Sequence, residues 1–389
     1  MKKYLMAMLT CFALGTAAAA SGYDVLNVTD FGAVPNDNKD DTDAIEKAVA
    51  ASRRILLRPN GGSYVGIAKA VYFPPGVYDI SRTVECHKKL ALISDPGKAM
   101  IRAVNIPGQP PLEIMFKFFA YTNSISNLKF IGGKTQLYFT NPNINQTTIE
   151  IDSCEFQHAS GTAIRAVPDH RDHLSTLLTI RNCKFLANNR CLETYCDYTV
   201  INDCWVETSQ PSMDDGPVFI NRAGHLIFDR FMGIPCADRS KGIKDLENCR
   251  WVDNYDTFTA VNSRFGAEGA GIPVIYQYEP PKLYYPSVFK GGSVDIQSCH
   301  VFTGSQRRKN ACVMMLFSLP QKVVFCNNTG PVNNAIFRYA PGFDPAPTLL
   351  QLKKSGKDKF VNYVIGWNIC MPVPLQETVP EELKQFVRH

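Results

Sequence analysis

Acidic side chains precede two of the predicted strands and are candidates for acid–base chemistry. Asp214 and Asp215 stand together before a strand that begins at Pro217, and Glu268 lies before a later strand. Two neighbouring carboxyl groups can divide into a proton donor and a base that activates water, because their mutual repulsion raises one pKa. Inversion at a sugar carbon needs such a pair about 6.5–9.5 Å apart. The alternative interpretation of Asp214 and Asp215 is an ordinary turn.

Arginine and tyrosine residues of other strands suggest a different reaction. Removing the proton beside a uronate carboxyl group requires Arg, Asn or calcium to neutralise that carboxylate, while Tyr, His, Lys or Arg acts as the base. Arg165 and Tyr276 are the catalytic candidates for this elimination, and Asp253 is a further acidic candidate. His170 lies in a polar loop directly after the Arg165 strand, where contact with substrate, metal binding and simple solvation all stay open.

These residues belong to a repeat that recurs along most of the chain. Each copy has six positions, which are in order apolar, any residue, polar, small, any residue, and aromatic or aliphatic. This alternation is typical of a strand with one buried face. The Asn, Ser or Cys at a fixed place predicts a tight bend. The copies begin at Ile125, Ile151, Ile180, Ile201, Leu246, Ala260 and Ile296, with weaker ones at Ile227 and Val324.

A second strand follows most copies, and its outward side chains form the predicted binding face. Equivalent residues of successive coils stack about 4.8 Å apart, so that a linear glycan can lie along them. Alignment of the apolar positions predicts that the outward side chains are those of Arg165, Glu193, Phe219, Tyr276 and Arg338. Two residues further along each strand, the predicted outward side chains are those of Val167, Tyr195, Asn221 and Tyr278. Asp253 and Tyr255 join this face if residues 251–255 form the matching strand. The predicted substrate-binding residues are Glu193, Tyr195, Asn221, Tyr255, Tyr278 and His170.

Several short strands in each stretch of about 20–30 residues predict an all-β fold, a right-handed parallel β-helix in which stacked coils of a solenoid share one core. A propeller blade needs about 40 residues, and the scarcity of hairpin signals disfavours a β-sandwich. A short N-terminal capping helix is predicted at Asp41–Ala51, with Asp41 or Thr42 as its N-cap. Pro380–Val387 predicts a short helix or tail.

The N-terminal segment carries a distinctive pattern. It contains Asp30-Phe31-Gly32-Ala33, then Asp40-Asp41-Thr42, and later Phe73-Pro74-Pro75-Gly76. Residues 24–80 thereby resemble the opening of the pectate-lyase-superfamily β-helix proteins, which include polygalacturonase-like hydrolases, epimerase-like and lyase members, and phage tailspikes. The resemblance implies a β-helix fold, export and action on carbohydrate.

The chain departs from the polygalacturonase-like pattern at two places. Asn188-Asn189-Arg190 stands where the resemblance implies Asn-Thr-Asp, and no Gly-His-Gly follows, although Gly266–Gly271 precedes a later strand. The Asp214-Asp215 pair occupies a position similar to that of the Asp-Asp pair of those enzymes. The resemblance therefore leaves the reaction open.

Residues 1–20 predict a signal peptide, since Lys2 and Lys3 precede an apolar run and small residues lead to Ala20. Residues 21–389 are predicted to form a single β-helix domain, secreted or periplasmic. The apolar run is too short to span a bilayer and no later run is long enough, so no membrane span is predicted. The net charge of +5 favours an acidic polysaccharide as partner and does not indicate nucleic acid.

The 13 cysteines suggest disulfides if the chain is exported. Most of them, however, lie inside the apolar repeat, where cysteine serves as a small buried hydrophobe. A local disulfide between Cys191 and Cys196 stays open. The aspartates between Asp37 and Asp43 do not have EF-hand spacing, so no metal ligands are predicted, although calcium remains a candidate cofactor.

Three functions follow from these patterns. A lyase that cleaves an acidic, uronate-containing polysaccharide by β-elimination is preferred, because the predicted face mixes Arg, Asn and Tyr and the chain is basic. An inverting, polygalacturonase-like glycoside hydrolase that uses Asp214, Asp215 or Glu268 is the alternative. A non-catalytic glycan-binding or tailspike-like adhesin is the third.

Overall fold

The computed structural model describes most of the chain between residues 25 and 388. The described residues are 25–52, 55–57, 63–65, 69–87, 89–104, 108, 110–119, 122–140, 148–167, 175–209, 216–236, 249–266, 273–279, 292–303, 312–330, 335–366, 368 and 379–388. The predicted signal peptide lies outside them. Within these ranges, no helix has the length and apolar character needed to cross a membrane.

Three columns of parallel strands, which we name A, B and C, form the body of the molecule. Each full coil passes through them in that order, and the parallel columns make a right-handed β-helix, as predicted. Column A comprises Val25–Asn27, Ala70–Phe73, Leu90–Ser94, Thr122–Ser126, Thr148–Asp152, Ser175–Arg181, Thr257–Val261, Ser293–Gln297, Lys322–Cys326, Asn362–Gly366 and Val387–Arg388. Column B comprises Gly76–Ile80, Ala99–Ala103, Leu128–Ile131, Glu155–Gln157, Lys184–Leu186, Trp205–Ser209, Met232–Cys236, Arg264–Phe265 and His300–Val301. Column C comprises Val84–Cys86, Ile114–Phe118, Thr135–Phe139, Thr162–Ala166, Arg250–Asn254, Ile275–Gln277, Met314–Leu316 and Phe337–Tyr339.

Two long strands connect column C to column A without a break. Arg190–Asn202 and Pro217–Asp229 each begin in column C and continue into column A of the next coil. Gly224 stands where they pass from one column to the other, and a Cβ there would lie 1.9 Å from the carbonyl oxygen of Cys196. Only glycine therefore allows the two long strands to pack this closely.

Each copy of the sequence repeat covers two strands rather than the single strand that was predicted. A tight bend separates column A from column B, and its residue adopts a left-handed conformation with φ between 50° and 60°. Asn and Asp tolerate this conformation better than most residues. The bend residues are Asn127, Ser153, Asn182, Asp203, Arg230, Asn262, Ser298 and Asn327. The bend predicted from the polar position of the repeat is thus confirmed.

The core consists of inward side chains that repeat from coil to coil. Phe156 stacks on Phe130 at 5.4 Å and on Phe185 at 5.0 Å between ring centroids. Full burial of each such side chain stabilises the fold by about 1.5–3 kcal/mol. Cysteines form a similar ladder, since the Cys183 thiol interacts with the thiols of Cys154 and Cys204 and burial raises its pKa.

The described cysteines are buried and form no disulfide, which favours the ladder interpretation. They are Cys86, Cys154, Cys183, Cys191, Cys196, Cys204, Cys249, Cys299, Cys312 and Cys326. The local disulfide considered between Cys191 and Cys196 is therefore not formed. Both thiols are fully enclosed by the core of neighbouring coils.

A helix at Thr42–Ala51 covers the N-terminal end of the core, where Ile45 and Val49 are buried. Asp41 occupies the N-cap position, one of the two predicted, but its side chain makes no capping hydrogen bond, and Thr42 is the first residue of the helix. Asp40 accepts the Thr42 N–H at 3.0 Å, while Asp41 accepts from the backbone of Val34 at 2.8 Å. These aspartates serve backbone hydrogen bonds, and the described residues contain no group of three His, Cys, Asp or Glu suited to a metal.

The other helical and antiparallel elements lie near the two ends. A 3-10 helix covers Val28–Phe31, and Ile55–Leu57 pairs antiparallel with Ser63–Val65. At the C-terminal end lie a helix at Ala346–Lys354 and a 3-10 helix at Asp358–Phe360. The predicted C-terminal helix is shorter than expected, covering Glu381–Lys384, and is followed by the last strand of column A.

Candidate functional site

The outward side chains of column C form one continuous row along the molecule. Register places Arg165 beside Glu193, then Ile220, Asp253 and Tyr276 on successive strands. The row continues to Met315 and Arg338 towards the C-terminus. In the other direction it continues through Tyr138 and Lys117 to Glu85. The predicted alignment of Arg165, Glu193, Tyr276 and Arg338 is therefore present.

Asp253 and Tyr255 belong to this face because Arg250–Asn254 is a column C strand. The repeat copy that begins at Leu246 was predicted to form a first strand that reaches Trp251. That prediction is wrong, because Trp251 lies in column C. That residue is fully buried within column C, beside Pro217–Asp229 on one side and Ile275–Gln277 on the other. Leu246 itself lies outside the described residues.

The long strand Pro217–Asp229 departs from the predicted alignment. Phe219 pairs with Leu192 and is fully buried, so Ile220 takes the outward place that was predicted for Phe219. A register shift follows, in which Asn221 pairs with Thr194 while Ala223 pairs with Tyr195. The extra residue is Arg222, and this bulge adds an arginine to the face.

Asn221 and Tyr195 are consequently not surface residues. Asn221 is fully buried, and Tyr195 is 6% exposed. Asn221 donates to the side chain of Asn254 at 2.8 Å, and Asn254 donates to that of Gln277 at 2.7 Å. These three amides form a buried ladder under the turn between columns C and A, so their role is to position the turn.

Glu193 lies between two arginines at the centre of the face. It accepts from Nε of Arg165 at 3.3 Å and from Nε of Arg222 at 2.9 Å, through different carboxylate oxygens. The glutamate side chain is 12% exposed, whereas those of Arg165 and Arg222 are 39% and 38% exposed. Glu193 therefore fixes two partly exposed guanidinium groups through their Nε atoms.

A second ion pair lies two strands further along the row. Arg250 donates to both oxygens of Asp253, from Nε at 2.5 Å and from Nη2 at 2.6 Å. The guanidinium also lies over the ring of Tyr276, 4.7 Å from its centroid. Both charged side chains are largely buried, so the pair is a rigid part of the face.

Arg190 completes an arginine cluster that we define as Arg165, Arg190, Arg222 and Arg250. Its charge interacts with Glu193, Asp253 and the two later arginines, and burial lowers its pKa. Its Nε is buried and has no hydrogen-bond partner. The four arginines come from four successive strands of column C, while Glu193 and Asp253 supply the two carboxylates that pair with them. The cluster thus concentrates four guanidinium groups on one face.

Aromatic rings lie beside the arginine cluster, stacked along the helix axis. Tyr255 and Tyr278 stack at 4.8 Å with 15° between their planes, and Tyr278 and Phe317 stack at 4.5 Å with 20°. Arg222 covers the other side of Tyr255 at 5.4 Å. The ring faces of Tyr255 and Tyr278 are therefore covered, so that these two residues offer ring edges and hydroxyl groups.

The tyrosine hydroxyl groups lie in a partly dry environment. Burial raises the pKa of Tyr255, Tyr276 and Tyr278. The Arg222 side chain hydrogen-bonds to Tyr255 and acts in the opposite direction on its pKa. Tyr255 is thus the tyrosine of this group whose phenolate has a hydrogen-bonded cation beside it.

Four predicted site residues cannot be placed on this face. Asp214, Asp215, Glu268 and His170 lie outside the described residues. The structure also adds residues that sequence patterns missed, namely Arg190, Arg222, Arg250 and Phe317. Arg190 and Arg250 are the first residues of their strands, where the alternation of apolar and polar residues does not show which way a side chain points. Arg222 is the bulge residue. The Gly224 that follows the bulge is the one signal in the sequence that could have indicated it.

The fold and this face define a parallel β-helix protein with an arginine-rich ledge. Residues 25–209 match the family of rhamnogalacturonase A/epimerase, pectate lyase-like proteins. This match confirms the resemblance to the pectate-lyase superfamily, and it supports a protein that acts on polysaccharide.

Solved structures of similar architecture have low sequence identity to the chain. The surface adhesin PfbA of Streptococcus pneumoniae has 13% identity and a TM-score of 0.48, over 79% of this chain and 85% of the adhesin. The A-module of the mannuronan C-5 epimerase AlgE4 of Azotobacter vinelandii has 14% identity and a TM-score of 0.47, over 90% of this chain and 96% of the module. No curated protein sequence matches the chain.

Proposed function

We propose that this protein is an exported lyase that cleaves a uronate-containing polysaccharide by β-elimination on the outer face of column C. The observation that carries the proposal is the charge of the arginine cluster. Arg165, Arg190, Arg222 and Arg250 lie together on four successive strands, and among the described residues Glu193 and Asp253 are the carboxylates that pair with them. A cluster of cationic side chains at a partly desolvated surface favours an anionic polymer.

The proposed reaction begins with neutralisation of one uronate carboxylate. Arg165 and Arg222 bind it through their terminal nitrogens while Glu193 holds their Nε atoms. This withdraws charge from the carbon beside the carboxylate and makes its proton easier to remove. The electron pair of that C–H bond forms a carbon–carbon double bond as the bond to the leaving sugar oxygen breaks.

Tyrosine hydroxyl groups move the two protons in this proposal. Tyr255 accepts the proton from carbon once its own hydroxyl proton is lost; burial raises its pKa, and the hydrogen-bonded Arg222 opposes that rise and stabilises the phenolate. Tyr276 is protonated at neutral pH, since burial raises its pKa, and donates a proton to the leaving oxygen. Water does not enter the products. Arginine neutralises the carboxylate in this scheme, so we expect cleavage to continue in the presence of a calcium chelator.

Two carboxylates of the described face are not suited to hydrolysis. Glu193 and Asp253 are both held by arginines, so neither is free to donate a proton or to activate water. Hydrolysis would therefore depend on Asp214, Asp215 or Glu268.

One experiment separates the three functions. The purified protein is incubated with polygalacturonate, alginate and a neutral glucan, with and without chelator, and both ultraviolet absorbance and reducing ends are followed. A lyase produces absorbance and reducing ends together from an acidic polymer. Reducing ends without absorbance would mean hydrolysis, and binding without either signal would mean an adhesin. Carboxyl-reduced polymer of the same length is the matched control and should remain intact.

Export is tested separately on the mature chain. If residues 1–20 are a signal peptide, N-terminal sequencing of the protein recovered outside the cytoplasm should begin at about Ser21. Recovery of an intact N-terminus in the cytoplasm would contradict export without affecting the proposed reaction.

A further inference from the structure

The outward row of column C carries a cation outside the arginine cluster. Lys117 pairs in register with Tyr138, and Tyr138 pairs with Arg165 on the following strand. Lys117 and Arg165 are therefore separated by the Tyr138 strand, which places them about 10 Å apart at the usual strand spacing. Both side chains are partly exposed. The cationic surface thus continues from the arginine cluster towards the N-terminal end of the row.

Two aromatic rings position Lys117. Its Nζ lies 4.8 Å from the ring centroid of Phe119 and 5.6 Å from that of Tyr138. The Tyr138 ring also lies 4.9 Å from Cζ of Arg165, so it contacts a cation from the strand on either side. A ring attracts a cation through its quadrupole and leaves the positive charge unchanged. Tyr138, which is 5% exposed, therefore couples the positions of Lys117 and Arg165.

Glu85 follows Lys117 at the N-terminal end of the row. Its carboxylate hydrogen-bonds to Nε2 of His87 at 3.0 Å, and the His87 ring stacks on Phe119 at 4.6 Å between centroids. A carboxylate at this place repels an anionic chain, whereas Lys117 attracts one. The favourable path for an acidic glycan therefore runs between Lys117 and the arginine cluster.

The reaction proposed above gives this path a direction. Tyr255 and Tyr276, which move the protons, lie on the C-terminal side of Glu193, and Lys117 lies on the opposite side. In an elimination, the sugar attached through the leaving oxygen departs, while the sugars on the other side stay on the unsaturated product. Because Tyr276 protonates the leaving oxygen, the sugars over Lys117 belong to the unsaturated product.

We propose that Lys117 binds a second carboxylate of the same glycan, on the side that becomes the unsaturated product. The inference rests on the proposed function and adds to it a binding residue and a requirement for a further acidic sugar. One sugar of an extended chain advances by roughly one strand spacing, so Lys117 lies about two or three sugars from the reacting uronate. The substrate class is accordingly a polymer with repeated uronates rather than one with a single isolated uronate.

Binding of short oligomers tests the role of Lys117. Rapid-mixing titration gives the dissociation constants of the hexamer and the dimer of galacturonate and of mannuronate. Lys117→Met should weaken binding of the hexamer at least five-fold and that of the dimer less than two-fold, because a dimer is too short to reach Lys117 from Arg165 and Arg222. Lys117→Arg should restore hexamer binding, since it keeps the charge.

The matched control is Lys129→Met. Lys129 is a partly exposed lysine of column B, where it pairs with Glu155 at 2.9 Å. The variant removes the same charge from a different face and should leave binding of both oligomers unchanged.

Product lengths provide a second measurement, which depends on the position of the cleaved bond rather than on the stability of the protein. Unsaturated products of the hexamer are separated by length and detected by their absorbance. The wild-type protein and Lys129→Met should favour the unsaturated trimer and longer products. Lys117→Met should raise the ratio of unsaturated dimer to longer products at least three-fold.

The outcomes separate the two proposals. Unchanged hexamer binding by Lys117→Met, an equal loss in Lys129→Met, or no rescue by Lys117→Arg would overturn the second carboxylate position and leave the lyase proposal intact. Binding of the hexamer without cleavage would overturn the lyase proposal and the direction of the chain, while the comparison of hexamer with dimer would still decide the role of Lys117. Failure of every acidic glycan to bind would overturn both proposals together.

Discussion

Asn254 donates a hydrogen bond to the buried side chain of Gln277 at 2.7 Å, directly beneath the stacked rings of Tyr255 and Tyr278. Each tyrosine also donates its backbone N–H across one coil, Tyr255 to Asn221 and Tyr278 to Asn254, both at 2.9 Å. The amide ladder inside the solenoid thus sets the height of the aromatic stack outside it.

Replacing Asn254 by Leu should destabilise the protein strongly. The change removes the donor to the side-chain carbonyl oxygen of Gln277 and to the backbone carbonyl oxygen of Asp256, at a cost of about 1–3 kcal/mol for each orphaned group, and it removes one of the acceptors of the Asn221 amide. Urea unfolding measures the loss. Asn202→Leu is the control, because Asn202 bonds to the partly exposed Asp229 outside the core. Equal losses for both variants would contradict a special role for the ladder.

Glu193→Gln should lower the rate of cleavage at least ten-fold without weakening the binding of acidic glycan. Glutamine cannot accept from Arg165 and Arg222 with both oxygens, so the two guanidinium groups lose their fixed positions. The face also gains positive charge, so KM should fall or stay constant while kcat falls. Asp203→Asn removes one carboxylate partner of Arg230, away from column C, and should leave both constants unchanged. A rise in KM with unchanged kcat would assign Glu193 to binding instead.

Tyr255→Phe should reduce kcat by about 10²–10⁴-fold, the usual contribution of a positioned acid or base. The ring stays in the stack, so circular dichroism and thermal unfolding should match the wild-type protein. Tyr198→Phe provides the control at a tyrosine of column A that is 53% exposed. Full activity of Tyr255→Phe would remove this hydroxyl group from the mechanism and leave Tyr276 as the candidate for proton transfer.

Asp256→Asn should stabilise the protein more at pH 7 than at pH 3. Burial raises the pKa of Asp256 above its ordinary value of 3.8, although the Gly224 N–H and Thr257 bond to it. Its contribution to stability is therefore present below the unfolded-state pKa and lost as the pH rises through the folded-state value. Thermal unfolding at both pH values measures the effect.

Asp203→Asn should show the opposite pH dependence and serves as the comparison for Asp256. The hydrogen bond from Arg230 lowers the pKa of Asp203, so its contribution is present above the unfolded-state pKa and lost on acidification. Asparagine at this position should therefore cost relatively more stability at pH 7 than at pH 3. The same sign for both variants would show that neither pKa shift has the stated cause.

The sequence predicts the fold well because the repeat reports the core directly. Inward residues such as Ile151 and Phe156 recur with the coil, and the polar residue between them, Ser153, does adopt the expected bend. The division of each copy into two strands is not visible in the sequence. The residue with left-handed backbone conformation interrupts the hydrogen bonding of the strand but not the pattern of apolar residues.

The site is predicted only where strands are regular. Arg165, Glu193 and Tyr276 follow strict alternation, so counting from the apolar neighbours places them correctly. The bulge at Arg222 adds one residue to its strand, so alternation from the neighbouring apolar residues places Asn221 on the wrong face. The amino-acid sequence alone does not show where such a bulge occurs. Contacts between coils, such as that of Glu193 with Arg222, depend on this local geometry.

The amide ladder also shows how the solenoid separates loop length from register. The chain takes 33 residues from Asn221 to Asn254 and only 23 from Asn254 to Gln277, yet the two hydrogen bonds differ by 0.1 Å. Insertions and deletions between strands are therefore absorbed at the periphery. Loops of different length or composition can be exchanged among such proteins, while the arginine-lined track that they border keeps its spacing.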